Sequence, residues 1–142
     1  MVLFFLKRYK YWVLAVFCNI IFFTAMPYFN EKRIAERIKT SENGIYSIAT
    51  ITDYRTETRS NYYKYTFNYN NKSYKSNIGV KKGLEVGRKY FLIINPEKPK
   101  SYNFLLYRYP VPDSITSAPP EGWKEPPIPV DKEEIRKFLE NY

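Results

Sequence analysis

The first 30 positions are dominated by one apolar run. Residues 11–29, YWVLAVFCNIIFFTAMPYF, carry no charged side chain in 19 positions. As a helix they span roughly 28 Å, close to the thickness of a bilayer's hydrocarbon core. Tyr11 and Trp12 stand at one end and Tyr28 at the other, where amphipathic rings favour the lipid–water interface. The pattern predicts a transmembrane helix over 11–29 behind a basic flank over 1–10. A cleaved signal peptide is the rival reading, and Lys7-Arg8-Tyr9-Lys10 would suit its start. The run is long for that role, however, and no A-x-A-like exit follows it. A buried core helix is the second rival, and it would show some polar face over such a length.

Residues 30–42 form a juxtamembrane helix, with Asn30 as its cap and Gly44 closing it in the left-handed conformation. Ile34, Ala35 and Ile38 make a narrow apolar stripe beside Arg33, Arg37 and Lys39. The stripe fits either a headgroup layer or the following domain, and packing on a domain is the commoner outcome.

From residue 43 the period changes from helix to strand. IYSIATITDY (45–54) is β-branched and aromatic, without Pro or Gly. SNYYKYTFNY (60–69) alternates strictly, with Tyr63, Tyr65, Phe67 and Tyr69 on one face and Tyr62, Lys64, Thr66 and Asn68 on the other. Asn70-Asn71 then suits a tight hairpin needing positive φ, and KSYKSNIGV (72–80) returns beside its neighbour. KYFLIIN (89–95) is the most apolar strand and the expected centre of the sheet, and SYNFLLYRY (101–109) adds one more. The fold class read from this pattern is mainly β. It comprises an N-terminal transmembrane helix, a small curved antiparallel sheet or barrel of 4–5 strands over 43–108, and a short C-terminal helix.

After Tyr109 the periodicity disappears. Residues 110–129 hold seven prolines, so 109–130 is expected to be an extended linker outside the core. A short amphipathic helix over 131–142 has clear start signals. Asp131 with Glu134 reads as a capping box and Val130 with Ile135 as a hydrophobic staple, while Glu133 and Lys137 are spaced as an i,i+4 pair. Ile135, Phe138 and Leu139 share one face. A helix this short is marginal alone, so that face is expected to dock, on its own β domain or on another protein.

Charge is unevenly placed. The chain carries a net +9, of which residues 43–108 contribute +8 and residues 109–142 contribute −3. A basic domain of this kind attracts anionic lipid, nucleic acid, an acidic partner or its own tail, although a Lys-, Asn-, Ile- and Tyr-rich composition needs no specific target. Basic residues flank the apolar run almost equally, so the basic-residue rule hardly separates the two orientations; the expectation adopted is N-terminus inside, with the β domain outside the cytoplasm. The chain has no histidine and one cysteine, Cys18, inside the apolar run. That excludes His-based acid/base catalysis, thiolate sites in the soluble part and internal disulfides. Bulky Phe17 before Cys18 argues against a lipoprotein site. Asp53, Glu57, Glu85 and Glu97 stand at strand ends or turns, and no Gly-rich phosphate loop, metal-ligand spacing or nucleophile elbow occurs. No enzyme activity, metal or cofactor is expected.

Three segments carry a family resemblance. ATITDY (49–54), FNYNNKSYKS (67–76) and above all VGRKYFLIINPEKPKSYNFLL (86–106) resemble a large group of bacterial membrane-tethered β domains of unknown function. The resemblance implies a small barrel, with Gly87 in the turn into the last apolar strand, Pro96 and Pro99 at its exit, and Leu105-Leu106 as the cap. It implies no active site. The chain departs from that group in having a Pro-rich acidic tail where a second transmembrane helix is usual, and in lacking Gly at the hairpin tip.

The leading functional expectation is a non-enzymatic binding or interaction module, held in the lipid bilayer through 11–29 and meeting a protein partner. One alternative is an OB-like face for oligosaccharide or nucleic acid, built from Tyr62, Lys64, Lys72, Lys75, Lys81, Lys82 and Arg88, which combine an aromatic ring with positive charge. Nucleic acid is not expected to meet a domain outside the cytoplasm. The other alternative is an immunity-type protein that neutralises a toxin at the membrane. No oligomeric state follows from the sequence.

Overall fold

The computed structural model describes residues 2–142, with side chains from Tyr9 onward. The elements run α1 (Val2–Asn43), β1 (Ile45–Thr56), β2 (Asn61–Tyr69), β3 (Lys72–Gly79), β4 (Lys89–Ile94), β5 (Asn103–Pro110) and α2 (Lys132–Glu140). The chain divides into two compact units, one up to Glu36 and one from Arg37 onward.

In the first unit α1 is long and apolar enough to cross a membrane. Trp12, Phe17, Ile20, Phe23 and Phe29 are all exposed on it. The helix runs without a break through Pro27 and past Asn30, so the two helices expected from the sequence are one. Asn30 is therefore not a cap.

The second unit begins with the last turns of α1. Thr40 and Ser41 are buried there, and Lys39 pairs with Glu97 at 2.8 Å. Gly44 ends the helix for a different reason from the one expected. Its φ is not positive, but a Cβ at this position would lie 2.3 Å from the Thr40 carbonyl and 2.5 Å from Ile93 Cγ1. Glycine is needed here for room.

The sheet is fully antiparallel in the order β3-β2-β1-β4-β5. Three hairpin-connected strands are followed by one that returns beside the first, which is a Greek key. β1, rather than the more apolar β4, is the central strand, because it is long enough to pair with β2 and β4 at once. Asn70 and Asn71 both have positive φ, as a two-residue hairpin of the primed type requires. Gly87 also has positive φ and donates to the Ile51 carbonyl at 2.7 Å.

The inner face carries Ala49, Ile51, Tyr65, Phe67, Tyr69, Ile78, Tyr90, Leu92, Ile94 and Leu105, with Leu84 of the β3–β4 loop above them. Fully burying large side chains of this kind is worth about 1.5–3 kcal/mol each. The sheet curls strongly around this core. Tyr65 on β2 donates to Asn103 Oδ1 on β5 at 2.7 Å, although two strands separate them, a distance of about 14 Å on a flat sheet. A bulge between Ile51 and Asp53 adds twist to β1. The curl stops short of closure: β3 and β5 remain edges, and the barrel alternative does not form.

The outer face of β1, β4 and β5 holds a second core of Tyr46, Phe91, Ile93, Phe104 and Leu106. Its cover is the segment expected to be a free linker. Residues 111–130 form a strap that packs Val111, Ile115, Trp123, Ile128 and Val130 over this face. Proline-rich sequence gives the strap no ladder of its own, so single backbone contacts fix it. Where β2 has ended, Trp123 takes its place beside β1, exchanging hydrogen bonds of 2.7 and 2.8 Å with Tyr46. Asn70 donates to the Pro120 carbonyl at 2.7 Å.

Helix α2 docks on the same domain. Ile135 and Leu139 are 1% and 0% exposed, and Phe138 packs against Tyr107 and Tyr109. Asp131 caps the helix through Glu133 N–H at 3.2 Å. Glu134 does not close the expected capping box: its carboxylate takes the hydroxyl hydrogen bond of Tyr109 instead. The i,i+4 ion pair on α2 is Arg136 with Glu140. Beyond the helix, Tyr142 accepts from Leu105 N–H at 3.0 Å and stacks edge-on against Phe104. It thereby satisfies a backbone donor of the edge strand β5, the kind of group that otherwise invites pairing with another chain.

Candidate functional site: the outer face of β2 and β3

Strap and α2 cover only part of the outer face. On β2 and β3 that face remains open, and the hairpin register decides which side chains it holds. The pairing sets Thr66 opposite Lys75 and Lys64 opposite Asn77, and the bulge in β1 brings Asp53 opposite Lys64. Directly opposed residues share a face. Lys64, Thr66, Lys75 and Asn77 therefore stand together.

Two depressions follow this surface. One, of about 520 Å³, lies between the sheet and the strap, lined by Thr50, Thr66, Asn68, Ser73, Lys89 and Thr116 among others. Lys89 Nζ donates to the Thr116 carbonyl at 3.0 Å, tying strap to sheet. The other, of about 560 Å³, is lined by Thr52, Asp53, Arg55, Lys64, Lys75 and Asn77. Thr66 lines both, so the two adjoin and together make up the trough of this face. Its single carboxylate, Asp53, is held by Arg55 at 2.7 Å. Beside the apolar Ile48, Ala118, Pro119 and Pro120 at the strap, the groups that remain are hydroxyls, amides and lysine ammoniums, a set that suits an acidic protein surface or an anionic, hydroxyl-rich chain.

The seven residues singled out in the sequence do not form one patch. Lys64 and Lys75 are in the trough. Lys72 pairs with Tyr69 and so belongs to the opposite face. Tyr62 lies further along β2, and its hydroxyl donates to Glu57 at 2.6 Å; that bond, first of all, raises its pKa. The other three sit in the β3–β4 loop. Lys81 lies over the Tyr107 ring at 5.4 Å, Lys82 is exposed, and Arg88 pairs with Glu85 at 3.5 Å. Arg55, Asp53, Asn77 and Lys89 were missed. Arg55 and Asp53 depend on a bulge that period-2 counting does not see, whereas Asn77 follows from the hairpin register.

The acidic residues sit in surface pairings. Glu57 accepts from Tyr62, Glu85 pairs with Arg88, and Glu97 pairs with Lys39, whose hydrogen bond lowers the carboxyl's pKa. Among the described residues no group of three or more His, Cys, Asp or Glu side chains gathers in a way that could hold a metal ion. No protein-family model, curated protein or solved structure matches this chain.

Proposed function

We propose that this protein is a single-pass, membrane-anchored, non-enzymatic binding module of the bacterial tethered β-domain kind, with its N-terminus inside and its sheet domain outside the cytoplasm. Its working surface is the outer trough of β2 and β3, and its partner is a protein presenting acidic groups. One observation carries this reading. The strap and α2 bury the apolar part of the outer face, and what they leave uncovered is polar and basic. The apolar face of α2, a rival docking element, is used up within the domain.

The test places a photoreactive residue at position 75 or position 72 of the full chain in native membranes. Position 75 should yield adducts that Lys64→Glu combined with Arg55→Glu abolishes, and position 72, on the other face, should not. Equal yields from both positions, or yields indifferent to charge reversal, would overturn the assignment.

The strand order favours a second reading. A five-stranded Greek-key barrel of the OB kind uses the face of its strands 2 and 3 for oligosaccharides and oligonucleotides, and the open trough is on β2 and β3. For a domain outside the cytoplasm the polymer would be an anionic polysaccharide. Salt-sensitive retention of the full chain in detergent on a uronic-acid polymer, lost in the same charge-reversed variant, separates this from a protein partner.

A further inference from the structure

Resting on the reading that residues 11–29 cross a bilayer, we infer that α1 associates with α1 of a second copy through Asn19. The residue stands at the middle of the apolar run, one position from its centre. Its side chain is exposed, and Nδ2 donates to the Ala15 carbonyl at 2.9 Å. That contact uses one amide hydrogen. The second amide hydrogen and the Oδ1 acceptor have no partner among the described residues, and hydrocarbon offers neither a donor nor an acceptor. Thr24, further along the run, shows the contrast. Its single hydroxyl donor is satisfied inside the helix by the carbonyls of Ile20 and Ile21, at 2.8 and 3.1 Å.

The leftover groups of Asn19 choose the occupant. A free donor beside a free acceptor on one amide is self-complementary: a copy related by a two-fold axis along the bilayer normal brings the same pair in the opposite sense. Asn19 also falls on a 3-4-3-4 spacing with Trp12, Ala15, Phe22, Met26 and Phe29, the repeat of a left-handed helix pair, in which one polar residue in the seam fixes register and partner number. Ala15, one turn before Asn19, is small enough to let two backbones approach.

The experiment uses the full chain in phosphatidylcholine–phosphatidylglycerol vesicles, labelled at the N-terminal amine with donor or acceptor dyes and diluted stepwise with lipid. Wild type should show energy transfer fitting a dimer, Asn19→Gln should retain it, and Asn19→Val should need about tenfold more protein per lipid for half-association. Vesicle flotation is run on each sample. Wild type that floats but stays monomeric throughout, or Asn19→Val that dimerises as tightly as wild type, overturns the inference, leaving the amide to another protein's helix or to lipid. Failure of the chain to float would instead refute the membrane anchor itself.

Discussion

Two buried tyrosines on neighbouring strands show how differently one hydroxyl can matter. Tyr65 is buried on β2, and its hydroxyl is satisfied by Asn103. The Asn103 amide in turn donates to the carbonyls of Pro99 and Lys100, so the bond ties β2 to the β4–β5 turn. Tyr46 is equally buried, and its hydroxyl has no hydrogen-bond partner. Tyr65→Phe leaves an orphaned acceptor and should cost about 1–3 kcal/mol, whereas Tyr46→Phe should be neutral or stabilising by up to about 1 kcal/mol. Chemical denaturation of the two variants in detergent checks the opposite signs. Burial pushes the pKa of both hydroxyls up to about 12, and burial raises that of Tyr142 as well. An unfolded tyrosine ionises near 10. The unfolded state therefore loses protons first, and stability present below pH 10 falls as the pH rises toward 12. With no histidine in the chain, stability should be nearly flat between about pH 6 and 9. A pH series of thermal melts, with tyrosinate absorbance as the second signal, tests both limbs. Strand alternation made the burial of Tyr65 legible in the sequence. The missing partner of Tyr46 was not, because it depends on where a proline-rich segment lies.

At the scale of elements, the strap and α2 are as much a part of the domain as the strands. Leu139→Ala should cost about 2–5 kcal/mol, since the side chain is fully enclosed in the outer core. Gly122 pins the strap: its φ is +73°, and a Cβ would lie 2.4 Å from Ile45 Cγ2 and 2.6 Å from the Tyr46 carbonyl. Gly122→Ala should therefore lower the melting temperature through backbone strain of about 1–3 kcal/mol, and protease should cut the strap of this variant sooner than that of wild type. All five strands were readable from β-branched, aromatic or apolar runs, from strict alternation in β2 and from turn residues, with ends within about two positions of those observed. The strap was not readable. It contacts the sheet through isolated side chains and single backbone bonds, so no periodic signal exists. The trough was half readable. A two-residue hairpin at Asn70-Asn71 fixes the β2–β3 register, which places Lys75 beside Thr66 and Lys72 on the other face, but the bulge at Thr52 that brings Asp53 and Arg55 to the trough leaves no mark in the sequence.

For the molecule as a whole, one physical asymmetry organises everything proposed. In the unit from Arg37 onward the large apolar side chains turn inward, apart from a few such as Val80 and Val86, whereas the large apolar side chains of α1 between Tyr11 and Phe29 remain exposed. Water does not favour such a surface, and lipid does. Extraction of cell membranes with alkaline carbonate, followed by immunodetection of the intact chain, tests this most directly. The chain, still carrying residues 1–30, should stay in the membrane pellet and enter solution only with detergent. Recovery of that same intact chain in the carbonate supernatant would contradict it.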